Sequence, residues 1–124
     1  MSFDWHLFLD LAKTLASTST ASSRDEAAYR TAGGRAYYST YLLARDRASA
    51  QGAVFPRSAK AHRHVADYYR SSPGKGPDVA MALKTLRVAR DGCDYDASPP
   101  ITATQARFIC AMAEATIKDI DAMP

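Results

Sequence analysis

Apolar positions along the chain recur at helical rather than strand spacing. Leu7, Leu11 and Leu15 fall four apart with Phe8 beside them, a stripe that predicts a first helix over residues 3–17 with Ser2 as its cap. The run STSTASS (residues 17–23) ends it, because short hydroxyl side chains compete for backbone hydrogen bonds. Ser23 with Glu26 three residues on is a capping-box pattern opening a long second helix over residues 24–50, ending near Gly52. Ala28, Ala32, Ala36 and Ser39 give that helix a side of small residues, and Leu42 and Leu43 carry the face onward. The Gly33-Gly34 pair inside it reads as a tight helix crossing, with a bend as the alternative, since glycine weakens a helix unless something uses the bare backbone.

Pro56 closes the next connection, and a third helix is predicted from about Ser58 to Arg70. SSPGKGPD (residues 71–78) is a loop by its two prolines and two glycines. It lacks Walker spacing and follows no strand, so it is not a phosphate-binding loop. Asp78 is expected to cap a fourth helix on which Val79, Leu83, Leu86 and Cys93 keep helical spacing. ASPPI (residues 97–101) is the next break. Thr102 with Gln105 is a second capping box, opening a last helix with Ala106, Ile109, Ala113, Ile117 and Ile120 as its inner stripe. Alternation of apolar and polar residues never persists, and no repeat is visible. The pattern predicts one all-α domain over residues 1–124, an up-and-down bundle of four to five helices.

Composition narrows the class. Of 124 residues 47% are apolar, but they are scattered, and no stretch approaches the roughly 20 needed to cross a bilayer. The start, MSFDWHLFLDLAK, sets Asp4, His6 and Asp10 among its apolar residues without a basic leader and does not read as a signal peptide. Cys93 and Cys110 lie in helical patterns without metal-ligand spacing, so buried, reduced thiols in a cytoplasmic protein are expected. The net charge of +3 is unevenly spread. Residues 57–75 carry five cations against Asp67, a local +4, whereas residues 91–124 carry two cations against six carboxylates, a local −4. The basic middle suits a phosphate-bearing ligand, or else simply attracts the acidic tail.

Two stretches stand out from this background. Arg35-Ala36-Tyr37-Tyr38-Ser39-Thr40-Tyr41-Leu42-Leu43-Ala44-Arg45 resembles the RAYYA…AR core of the second helix in the HEPN (higher eukaryotes and prokaryotes nucleotide-binding) family. Leu86-Arg87-Val88-Ala89-Arg90-Asp91-Gly92-Cys93-Asp94-Tyr95-Asp96 resembles the LR-x-x-R-x-x-x-DYD signature of small bacterial and archaeal members. Between them, Ala61-His62-Arg63-His64-Val65 sits where those members begin a helix, and Thr102 opens the last helix as theirs does. The resemblance covers residues 24–120 in order. It implies a helical bundle that pairs through its long helices into a homodimer. Many members are RNases, often toxins of toxin–antitoxin or phage-defence systems, using an Arg and a His four to six residues apart without a metal. Others lack that motif and serve as nucleotide-binding or partner subunits, for instance beside a nucleotidyltransferase.

Candidate site residues follow from both sources. An imidazole with a pKa of about 6.5 can take a 2′-hydroxyl proton while a guanidinium holds the phosphate. Arg57 with His62 or His64 meets the family spacing. Arg90 lies at the late signature, where Asp94 replaces the expected histidine. A carboxyl of ordinary pKa, about 3.9, suits a base at neutral pH poorly, so Arg90–Asp94 reads as a structural ion pair and Tyr95 as a packing residue with a hydroxyl anchor. His62 and His64 point about 200° apart around a helix, so only one can share a face with a ligand. Arg35, Tyr37, Tyr38 and Tyr41 form a cationic and aromatic patch able to stack a base, with Arg63 and Tyr95 as further ligand contacts, although packing is the competing role for the tyrosines. The catalytic candidates are therefore Arg57, His62, Arg90 and Asp94, and no metal or cofactor is called for. Three readings result: a non-catalytic nucleotide- or RNA-binding module or partner subunit, a metal-independent RNase toxin, and a purely structural helical dimer. The missing histidine beside Arg90 favours the first.

Overall fold

The structure, a computed structural model, describes residues 2–124. It has five helices and, among the described residues, no strand: α1 (His6–Ala16), α2 (Arg24–Ala50), α3 (Lys60–Arg70), α4 (Gly76–Tyr95) and α5 (Ala103–Ala122). The long α2 touches all four others, and these follow one another around it in the order α1, α5, α4, α3. α3 meets α4 and α2 only, leaving a side of α2 open between α1 and α3.

This central position explains α2's small residues. Ala32, Gly33, Gly34, Ala36, Ser39, Ala44 and Ala48 are all buried along it, so neighbouring helices come close. At Gly33 the crossing is tightest: a Cβ there would lie 2.6 Å from the Cys93 sulfur of α4. Gly33 therefore marks a close approach, neither glycine breaks the helix, and α2 runs unbroken to its end before Gly52, whose φ of +97° turns the chain.

α5 buries the stripe its spacing predicts, and Val79, Leu83, Leu86 and Cys93 do the same on α4. Thr102 caps α5 reciprocally with Gln105: the Gln105 N–H donates to the Thr102 hydroxyl at 3.2 Å, and the Thr102 N–H donates to the Gln105 side-chain oxygen at 2.8 Å.

α1 differs from expectation. It starts at His6, where the Asp4 carboxylate and not Ser2 accepts the His6 N–H. Its buried stripe is Leu9, Ala12 and Ala16, while Leu7 and Leu11 stay 51% and 46% exposed. The helix is apolar on more than one side, and the small residues face the core because they fit against the crowded α2.

The capping box expected at Ser23 also fails to form. Glu26 is drawn away to Arg30 and to the Ile101 N–H, and Asp25 accepts from the Thr20 hydroxyl and from the Thr20 and Ala21 N–H groups. Asp78 lies in the first turn of α4, which begins at Gly76 with Pro77 behind it, instead of capping it. The acidic tail does not seek the basic middle. Glu114 pairs with Lys13, and Asp121 with His6.

Candidate functional site

Two rings from α2 and one from α3 form the centre of the site. Tyr37 and Tyr41, four apart, point the same way, with ring centroids 5.8 Å apart and nearly parallel planes. His62, in the first turn of α3, stacks on Tyr41 at 4.3 Å and lies 5.6 Å from Tyr37. Its Nδ1 is hydrogen-bonded to the Tyr37 hydroxyl, the donor depending on the imidazole tautomer. Burial, with the nearby cations Arg87 and Arg90, lowers the His62 pKa below its ordinary value against an opposing pull from Asp91. The ring is therefore neutral at pH 7. Burial raises the Tyr37 pKa, so the bond joins two uncharged groups.

Next to these rings runs a ladder of alternating rings and guanidiniums. Arg35 lies over Phe8 at 4.7 Å and over Tyr38 at 5.4 Å; Arg90 lies over Tyr38 at 5.1 Å and over Tyr95 at 5.2 Å. Tyr38 also meets His62 edge-on at 6.0 Å. Arg90 and His62, which the sequence offers as parts of two competing sites, thus flank one tyrosine. Arg90 itself is held as expected: its Nε donates to Asp94 at 2.8 Å, its Nη1 to Asp91 at 3.1 Å and its Nη2 to the Tyr95 hydroxyl at 3.3 Å. With its side chain 15% exposed and two carboxylates on it, Arg90 is already partnered. Tyr95, expected to pack, instead lies 71% exposed at the end of α4, because α4 stops there and no helix covers that ring.

A cleft of about 390 Å3 opens between α3 and α4. Tyr37 and His62 form one wall, Ala66 and Leu83 lie within it, and Arg63, Arg70, Lys84 and Arg87 supply four cations. Asp67 is its one carboxylate, and it pairs with both Arg63 and Arg70. Lys84 and Arg87, three apart on α4, have no carboxylate within ion-pair distance among the described residues. The sequence offers neither as a site residue, although Arg70 falls in the basic stretch suited to a phosphate-bearing ligand. The signal was present, since Arg87 lies inside the LRVAR stretch and Lys84 one turn before it, but only the packing of α4 on α3 reveals that they face His62.

Arg57 lies elsewhere. It precedes α3 and lines a second cavity of about 590 Å3 with Tyr41, Arg45, Ser49, Phe55 and Ser58. Arg57 and His62 therefore do not share a cavity; the His62–Tyr41 ring pair stands between them. His64 is exposed on another face of α3. Cys93 and Cys110 are buried free thiols with pKa values raised by burial. Among the described residues no three His, Cys, Asp or Glu side chains gather as metal ligands would, and no helix is long and apolar enough to cross a membrane.

Fold and site together define a five-helix bundle with a cationic, ring-walled cleft. Compared with known family models, with curated proteins and with solved structures, the chain matches none.

Proposed function

We propose that this protein is a HEPN-like module that binds a nucleotide or RNA through its phosphate in the cleft between α3 and α4. The observation that carries the proposal is the placement of Lys84 and Arg87. Two cations without carboxylate partners among the described residues line the same cavity as Arg63, Arg70 and the His62 ring. Like charges gathered around a cavity with protein walls raise local anion concentration, and a phosphate relieves their mutual repulsion. The rings of Tyr37 and His62 add a surface for a base. Pairing of Arg90 with Asp91 and Asp94 favours binding over catalysis there. A homodimer, and a neighbouring nucleotidyltransferase or antitoxin as partner, belong to the same proposal through the resemblance of residues 35–45 and 86–96.

Fluorescence anisotropy with a labelled RNA at about 50 mM salt tests it. The Lys84→Ala/Arg87→Ala double variant is expected to weaken binding about tenfold or more and to flatten the salt dependence. Absence of any binding by the wild-type protein at that salt would sink the proposal.

One observation favours a second reading, a metal-independent RNase. His62 is neutral at pH 7 and close to Arg87 and Arg90. In the tautomer whose Nδ1–H donates to the Tyr37 oxygen, Nε2 keeps a lone pair that can accept a 2′-hydroxyl proton. RNA cleavage in EDTA that disappears in His62→Ala supports this reading; RNA left intact in EDTA removes it.

A further inference from the structure

The cavity holding Arg57 is not an isolated hollow. It and the α3–α4 cleft lie on opposite sides of the stacked His62–Tyr41 pair, whose ring planes are 18° apart and whose centroids are separated by 4.3 Å. His62 lines one cavity, while Tyr41 and the adjacent Ala61 line the other. The stacked rings thus join the lining of one cavity to that of the other.

The lining of the second cavity suits a nucleotide. Phe55 and Tyr41 offer ring surface, Ser49 and Ser58 offer hydroxyls, and Arg57 has no carboxylate within ion-pair distance among the described residues. Arg45 lines the cavity too, although Asp46 pairs with it at 2.9 Å. Ring surface, hydroxyls and a free guanidinium are the groups that hold a base, a ribose and a phosphate on single strands. A duplex keeps its bases stacked inside and gains nothing from two hollows divided by a ring pair.

From this juxtaposition we infer that the cavity of Arg57, Phe55 and Tyr41 is a second nucleotide subsite. The ligand of the cleft is then a single-stranded oligonucleotide whose backbone crosses the His62–Tyr41 rings. The inference rests on the nucleotide reading of the α3–α4 cleft.

The test is a length series on the full chain. A mononucleotide, a dinucleotide and a tetranucleotide of one base type compete against a labelled tetranucleotide, for wild type, Arg57→Ala and Phe55→Ala. Wild type is expected to bind the dinucleotide about tenfold more tightly than the mononucleotide, the gain of one added stacked and phosphate-bonded nucleotide. Arg57→Ala and Phe55→Ala are expected to bring that ratio towards one. Lys118→Ala, on the exposed side of α5, is the control and keeps it. Arg57 is exposed and outside any helix, so its substitution does not threaten the fold, and an unchanged melting temperature checks this. Mononucleotide binding without a gain for longer ligands overturns the subsite while leaving the cleft reading intact. So does a gain that survives both substitutions. Failure of every ligand to bind overturns both.

Discussion

The Tyr37 hydroxyl and the His62 Nδ1 are hydrogen-bonded across the junction of α2 and α3, and among the described residues neither group has another side-chain partner. Tyr37 is 1% exposed. Its ring belongs to the core and its hydroxyl to the cleft, so it fixes the imidazole through a part-buried bond. Tyr37→Phe keeps the ring and removes the bond, leaving an imidazole nitrogen half-buried without its partner. The variant is expected to fold, to lose about 1–2 kcal/mol in urea unfolding, and to broaden the His62 ring signals in NMR. Unchanged stability together with unchanged His62 signals would show that the bond holds nothing in place.

Anion binding is expected to depend on this histidine. Burial and the two neighbouring arginines keep His62 neutral at pH 7. As pH falls through its lowered pKa, the ring gains a charge facing a cleft that already holds four cations. Affinity for an anionic nucleotide should therefore rise below the ordinary histidine value of 6.5 and should level off above it. In His62→Gln the rise should vanish. The free protein moves the other way: the unfolded chain holds the His62 proton more readily than the folded one, so this residue lowers stability as pH falls below 6.5.

His6 has the opposite sign. Its Nε2 meets Asp121 at 2.9 Å and its Nδ1 meets Asp4 at 2.7 Å, which ties the start of α1 to the end of α5. The hydrogen bond to Asp121, against some desolvation and with help from Asp4, raises its pKa above 6.5. A raised histidine contributes fully below its unfolded value and loses the contribution as pH climbs through the folded one. The melting-temperature deficit of His6→Gln should be larger at about pH 5.5 than at about pH 9. The effect should be small, because the side chain is 44% exposed. A deficit that grows with pH would contradict this clasp.

How much of this was legible beforehand differs between elements for physical reasons. The inner stripes of α4 and α5 were readable because Val79, Leu83 and Leu86, and Ala106, Ile109, Ala113, Ile117 and Ile120, keep helical spacing, although Met81, Val88 and Phe108 stay exposed on the outer sides. On α1 the apolar residues cover a broad arc, and the choice of its Leu9, Ala12 and Ala16 edge over Leu7 and Leu11 fell to the shape of α2, which no pattern on α1 records. Ser23 and Glu26 had the letters of a capping box. Arg30 and the Ile101 N–H then took Glu26, a tertiary competition that local sequence does not show. At the site, His62, Tyr37 and Tyr41 could be named one by one. The grouping of His62 with Lys84 and Arg87, and its separation from Arg57, needed the packing of α3 on α4.

Arg30 anchors the segment that follows α4. Its Nη1 donates to the carbonyls of Gly92 at 3.3 Å, Cys93 at 2.9 Å and Asp96 at 2.6 Å. Its Nη2 reaches those of Ala97 and Pro99 at 3.4 Å each, while Nε pairs with Glu26 at 2.8 Å. The last carbonyls of a helix lack intrahelical donors, and this guanidinium supplies one at Cys93 while also holding the carbonyls of the segment beyond the helix. Arg30→Ala is expected to destabilise by about 3 kcal/mol, since it strips charge-assisted bonds from a side chain only 20% exposed. Arg30→Lys should recover little, because one ammonium cannot span the same carbonyls. Hydrogen exchange should become fastest at residues 93–101. Protection there equal to wild type in Arg30→Ala would refute the anchoring role.

The two adjacent glycines of α2 should respond oppositely to alanine. At Gly33 a Cβ would stand 2.6 Å from the Cys93 Sγ and 3.3 Å from its Cβ, with the Ile109 side chain at 3.5 Å behind. Cys93 is buried on α4, so its sulfur or the α2–α4 packing must shift to admit the methyl. Gly33→Ala is therefore expected to cost about 1–3 kcal/mol net of its gain in helix propensity. At Gly34 the nearest atom is an oxygen of the Asp94 carboxylate at 3.4 Å, an ordinary contact that a small rotation eases. There alanine should be neutral or stabilise by up to about 1 kcal/mol. Adding Cys93→Ala to Gly33→Ala removes the clashing sulfur and should restore part of the loss, a coupling that a double-mutant cycle in urea measures directly. Strict additivity of the two substitutions would mean that the α2–α4 crossing is not limited by this contact.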